Sequence, residues 1–125
     1  MIWKQLFFVF IGGGIGSITR YSISMVLLKY AKHFPLGTFI SNILATTLLA
    51  AFIIIIETKG ITQNWVRLLL ITGFCGGFST FSTFSYETFE LLKSGHTALA
   101  FLNVLASIIV AVVIIYILFK TYNQL

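Results

Sequence analysis

The chain has 125 residues, 58% of them hydrophobic and only 9% charged, with a mean hydropathy of +1.03. A water-soluble domain carries about 25% charged residues, so this composition excludes a soluble globular fold and points to lipid as the solvent. The formal net charge is +5, but the basic residues stand singly, mostly at the ends of apolar runs, which suits interfacial anchoring and offers no nucleic-acid surface.

The length allows one domain, residues 1–125. Four apolar runs are each near the ~20 residues that cross a hydrocarbon core. They predict an all-α membrane protein with spans at about 6–28, 36–56, 65–92 and 98–119. The spans must be helices, because an open sheet edge stays unsatisfied in lipid. The first run follows Met1, Ile2, Trp3 and Lys4. It is too long for a signal-peptide core, contains Arg20 and is closed by no small-residue cleavage site, so it is expected to be retained.

Within the first span Gly12, Gly16 and Arg20 are four apart and share a helix face. Small residues at that spacing admit close helix approach. A guanidinium inside a span costs about 2.5–3.5 kcal/mol on insertion scales, so Arg20 should find a partner, a broken helix end or water. A short loop follows with Lys29, Lys32, His33 and the only proline, Pro35. The second span carries a polar stripe of Thr38, Asn42 and Thr46. Asn42 either hydrogen-bonds across to another helix or offers its NH₂ to an anion. The next loop, from Glu57 to Asn64, is polar.

The third span is the most unusual, with Gly73, Gly76 and Gly77 followed by Phe78, Ser79, Thr80, Phe81, Ser82, Thr83, Phe84 and Ser85. Paired glycines and dense hydroxyls make a weak point in a helix. Carbonyls freed there are good ligands for a hard cation. Aromatic ring edges are electropositive, so Phe78, Phe81 and Phe84 among hydroxyl donors suit a small anion that sheds water. The same pattern also fits an aromatic packing stripe with hydroxyls bonded back one turn. Thr83 and Glu87 share a face, and Glu90 lies one turn on, at the interface. In the fourth span Asn103 and Ser107 are four apart and extend a polar track. Cys75 reads as a small buried apolar side chain, and His33 and His96 as solitary surface residues in loops. No nucleophile–base pair, phosphate loop or metal-ligand cluster marks an enzyme.

Orientation is barely specified. One side collects Lys4, Lys59, Arg67 and Lys120; the other collects Lys29, Lys32 and Lys93, with Arg20 leaning towards it. Basic loop residues normally decide insertion, so near-equal counts favour copies inserted both ways and paired antiparallel. Four helices pack around a filled core, and a conduction path is easier to build between two copies.

Taken together, the glycine run ending in Arg20 and Tyr21, Gly37-Thr38 with Asn42, and the stretch Gly73–Ser85 resemble the bacterial fluoride channel family, the Fluc or CrcB proteins. The resemblance covers the whole chain and is most specific over Gly73–Ser85. It implies an antiparallel dual-topology homodimer with a broken third helix and two fluoride pores in a bacterial inner (plasma) membrane. It implies Asn42, Phe81, Phe84, Ser82, Thr83, Glu87, Ser107 and Asn103 as pore residues and Arg20 near the vestibule. It further implies a structural sodium ion at the dimer centre, held by the main-chain carbonyls of Gly76 and Ser79 and not transported. Such channels release fluoride that enters acid-exposed cells as neutral HF. Ser79 stands where threonine is usual, Ala45 where glycine is common and Ala111 where serine is frequent. A small proton-coupled exporter is the main alternative, but this chain has no carboxylate before Glu57. A scaffold subunit would not need Arg20, Asn42 and the hydroxyl block together inside the membrane.

Overall fold

The computed structural model describes residues 1–30 and 33–124; Lys32, counted above for orientation, lies outside the described residues. Helix α1 spans Ile2–Leu27 and continues as a 3₁₀ turn, Leu28–Tyr30. Helix α2 spans Leu36–Thr58. The third apolar stretch opens with α3 (Asn64–Arg67), widens its turn through a π-helical segment (Leu68–Cys75) and ends in α4 (Gly76–Phe78). Ser79 and Thr80 then take extended backbone angles before α5 (Phe81–Lys93). Helix α6 spans Thr97–Tyr122. Four helical stretches, Ile2–Tyr30, Leu36–Thr58, Asn64–Lys93 and Thr97–Tyr122, are long and apolar enough to cross a membrane. The chain is thus a multi-pass, all-helical membrane protein.

The helices run past the apolar stretches at several ends because a hydrogen-bonded ladder does not stop where lipid does. Two glycines close them sharply. Gly60 (φ 59°) follows α2 and Gly95 (φ 81°) follows α5. Beyond α5 the amide of Gly95 donates to the Leu92 carbonyl at 3.1 Å and that of His96 to the Leu91 carbonyl at 2.8 Å. This paired closure absorbs carbonyls that the helix end would strand.

Packing inside the bundle relies on small residues. The glycine face of α1 lies directly on the backbone of the third span. A Cβ added at Gly12 would overlap the Leu69 carbonyl oxygen and come within 2.8 Å of the Phe74 nitrogen. One added at Gly16 would overlap the Phe74 carbonyl and come within 2.7 Å of the Phe78 nitrogen. Each helical glycine forgoes about 1 kcal/mol of propensity relative to alanine, and the close approach uses that concession for backbone contact. Elsewhere the core is made by Ala45, Ala50, Ile56, Cys75, Phe78, Leu91 and Ala100. The ring of Phe78 packs 5.6 Å from Phe74. Phe7, Phe10, Phe101, Ile108 and Tyr116 face outwards, as a lipid solvent permits. Near the ends Phe8 packs on Trp65 at 5.3 Å, and Lys120 lies over Tyr116.

Candidate anion pathway

Asn42, midway along α2, meets the extended backbone between α4 and α5. Its Oδ1 accepts from the Thr80 amide at 2.7 Å, and its Nδ2 donates to the Thr80 carbonyl at 3.2 Å. The carboxamide thus pairs with one residue's main chain as a neighbouring strand would. Of the two roles open to it in the sequence, the cross-helix bond is made, and its second N–H is not used in that pairing. In a continuous helix the Thr80 amide would serve the Gly76 carbonyl. Likewise the Thr83 amide, which would serve Ser79, donates to the Thr80 hydroxyl at 3.2 Å and caps α5. The carbonyls of Gly76 and Ser79 therefore lose their regular helical donors. They lie beside a shallow depression of about 170 Å³ bordered by Thr46, Cys75, Gly76 and Ser79.

Arg20 reaches the same region from α1. Its Nε donates to the Gly77 carbonyl at 3.3 Å, and the Ser17 hydroxyl donates to the same oxygen at 3.3 Å. The close approach of the glycine faces makes this possible: a Cβ on Gly77 would overlap Gly13. The guanidinium thus has a backbone partner next to an irregular helical stretch.

A neighbouring groove of about 330 Å³, sharing Thr46 and Ser79 with that depression, gathers Asn42, Thr46, Ser79, Thr80, Phe81, Phe84 and Ser107. The Phe81 and Phe84 rings lie 5.9 Å apart, tilted by 36°. Phe81 is 80% exposed within a single chain, so one wall of the groove is open. Thr80 Oγ1 contacts Ser82 Oγ at 3.2 Å and donates to Thr83 Oγ1 at 3.1 Å, forming a hydroxyl cluster at the start of α5.

Glu87 and Asn103 stand apart from this groove. Glu87 lines a second cavity, of about 460 Å³, with Ser24, Thr38, Glu90, His33 and His96. Asn103 is buried between α5 and α6, where its Nδ2 donates to the Thr88 hydroxyl at 2.9 Å. Four buried polar atoms have no hydrogen-bond partner among the described residues: Ser41 Oγ, Glu87 Oε2, Asn103 Oδ1 and Ser107 Oγ. Each such group costs about 1–3 kcal/mol unless water or a ligand meets it. The histidines need correction. They are not solitary: the His33 and His96 rings stack at 4.9 Å, with 23° between planes. The fold sets His33, just before α2, against His96, just before α6.

Three participants were not singled out from sequence. Thr80 receives Asn42 and caps α5; its position three residues before Thr83, after the glycines, was the available signal. Thr88 and Ser41 sit at ordinary helical positions with no distinguishing signal.

The family described as CrcB-like protein, Camphor Resistance (CrcB), matches residues 7–119. A Pyrococcus horikoshii protein named fluoride-specific ion channel FluC is 48% identical over 114 residues, 90% of this chain and 91% of that one. A Coxiella burnetii protein of the same name is 48% identical over 103 residues, 80% of this chain and 82% of that one. One from Flavobacterium psychrophilum is 39% identical over 106 residues, covering 84% and 86%. A match this long, running through all four spans, means that the chain belongs to the CrcB-like family.

Proposed function

We propose that this chain is a fluoride-selective channel that lets fluoride leave the cytoplasm passively, working as an antiparallel dual-topology homodimer. The observation that carries the reading is the double hydrogen bond from Asn42 to Thr80, which holds the third span interrupted beside Phe81 and Phe84. Relatives of the chain that carry the name fluoride-specific ion channel support the choice of ion.

Fluoride enters lipid only if its tightly held water is replaced. The groove offers replacement from several directions. The unused N–H of Asn42 and the hydroxyl of Ser107 are donors in it, and the Ser82 and Thr83 hydroxyls cluster on Thr80 next to it. The edges of Phe81 and Phe84 carry partial positive charge. The partnerless oxygens of Ser107, Asn103 and Glu87 extend a polar line through α5 and α6 towards the Glu87 cavity. A second copy supplies the missing wall over Phe81, and near-equal charge on the two ends lets copies insert in opposite directions.

Sodium fits the depression beside Gly76 and Ser79. A hard cation prefers oxygen ligands, and the carbonyls of Gly76 and Ser79 have given up their helical donors. In the dimer these two carbonyls from each copy would hold the ion at the centre. There it offsets the cost of freed backbone oxygens and stays in place. Arg20 and Ser17 hold the neighbouring Gly77 carbonyl away from that task.

The test is efflux from vesicles containing purified protein, followed with a fluoride electrode at equal pH on both sides. Rapid fluoride loss with chloride retained is the expected result. Efflux that requires a pH gradient would instead support a proton-coupled exporter, and tight vesicles would overturn a transport role.

A further inference from the structure

We propose that Thr46 couples the cation depression to the anion groove. Its hydroxyl offers oxygen to the cation and its proton to the anion, so that each ion is held more tightly when the other is present. The proposal rests on the fluoride-channel reading, sodium included, and adds to it a link between the two ions.

The depression of about 170 Å³ and the groove of about 330 Å³ share a wall. Of the residues that line them, only Thr46 and Ser79 belong to both. Ser79 cannot serve both sides with its side chain. Its hydroxyl donates to the Cys75 carbonyl at 3.0 Å, which commits its single proton. Thr46 is different. Its neighbour Thr47 returns its proton to the Ile43 carbonyl at 2.8 Å, and Thr58 does the same to Ile54 at 2.7 Å. Among the described residues Thr46 makes no such bond, so its proton and its lone pairs are both uncommitted. It also stands on a regular helix, one turn beyond Asn42 on the same face of α2. Asn42 is the residue that pairs with the extended backbone at Thr80, so the shared wall is fixed at both levels.

A hydroxyl suits this position because it accepts and donates at once. A hard cation takes oxygen ligands, and a small anion takes an O–H. Thr46 acts beside the Gly76 and Ser79 carbonyls, not in their place. An oxygen that leans on a cation makes its own O–H a stronger donor, since linked polar groups polarise one another. The effect runs both ways, because coupling between two binding sites is reciprocal. Plain helix packing also places a threonine against a groove. In that case valine, of nearly the same shape, would replace it with no consequence for either ion.

The experiment reads cation binding from thermal unfolding of the full chain in detergent, so it does not depend on conduction. Sodium is titrated against N-methylglucamine, once with fluoride and once with chloride as the anion. The sodium concentration giving half of the rise in melting temperature should be about fivefold lower in fluoride than in chloride for wild type, the lower end of ordinary coupling between sites. Thr46→Ser keeps the hydroxyl and should keep the difference. Thr46→Val should lose it, and Thr46→Ala, which cannot overpack, should behave as the valine variant does. An equal sodium requirement in both anions for wild type, or an undiminished difference in the valine and alanine variants, would overturn the coupling and leave the channel reading intact. Melting indifferent to sodium would overturn it together with the cation site. Vesicles tight to fluoride, beside a normal difference in the melts, would sink the channel reading and leave Thr46 in this role.

Discussion

In the proposed channel Asn42 would join two tasks that sequence alone keeps separate: supporting the Thr80 backbone and facing the anion groove. Replacing it with alanine strands the Thr80 amide, which should destabilise the protein by about 1–3 kcal/mol. Losing a donor worth about 1.4 kcal/mol in the path should slow fluoride efflux about tenfold or more. Asn42→Asp keeps an acceptor for the Thr80 amide, so it should melt closer to wild type. It puts a carboxylate into the groove, so it should conduct as poorly as the alanine variant. Thermal unfolding in detergent read beside vesicle efflux separates the two tasks; equal melting of both variants would remove the backbone role. At this scale Asn42 and Arg20 were visible as polar groups in apolar runs. Their partners were not, because Thr80 and Gly77 contribute main-chain groups that every residue has. The stacked histidines were invisible for a different reason: 63 positions apart in sequence, they meet only in the folded chain.

Among the elements, hydropathy made the four spans legible, since lipid demands a continuous apolar length. The detail of the third span was less so. Gly76 and Gly77 are helical, and the extended angles fall later, at Ser79 and Thr80. The glycines mark where backbones touch, and the side chain of Asn42 on another helix holds the extended residues. No local pattern announced the π-helical stretch Leu68–Cys75. The glycine face yields a paired prediction. Gly12→Ala and Gly16→Ala drive a methyl into backbone carbonyls and should each cost about 1–3 kcal/mol by overpacking. Gly14 has open space around its Cβ position, so Gly14→Ala should be neutral or stabilising by up to about 1 kcal/mol. Thermal melts of the three variants check the ordering. Equal effects at all three positions would mean that α1 does not meet the third span through this face.

For the whole molecule, a single chain leaves Phe81 largely uncovered and the Gly76 and Ser79 carbonyls short of donors. Both features are what an antiparallel partner and a shared sodium ion would complete. Purified protein should therefore run as two copies, and cysteines placed at either terminus should be labelled from both sides of the membrane. Exchange of sodium for a bulky organic cation should reduce fluoride efflux and lower the melting temperature. A monomer that conducts, or efflux indifferent to sodium, would remove this arrangement. The central claim is that fluoride passes along the groove edged by Phe81. Its most direct test is fluoride efflux per protein for wild type and Phe81→Ile in matched vesicles that also contain chloride. The account predicts fast, chloride-sparing efflux for wild type and a loss of about tenfold or more for a dimer of the variant, as removal of ring-edge stabilisation worth about 1.4 kcal/mol requires. Undiminished fluoride efflux through Phe81→Ile would contradict it.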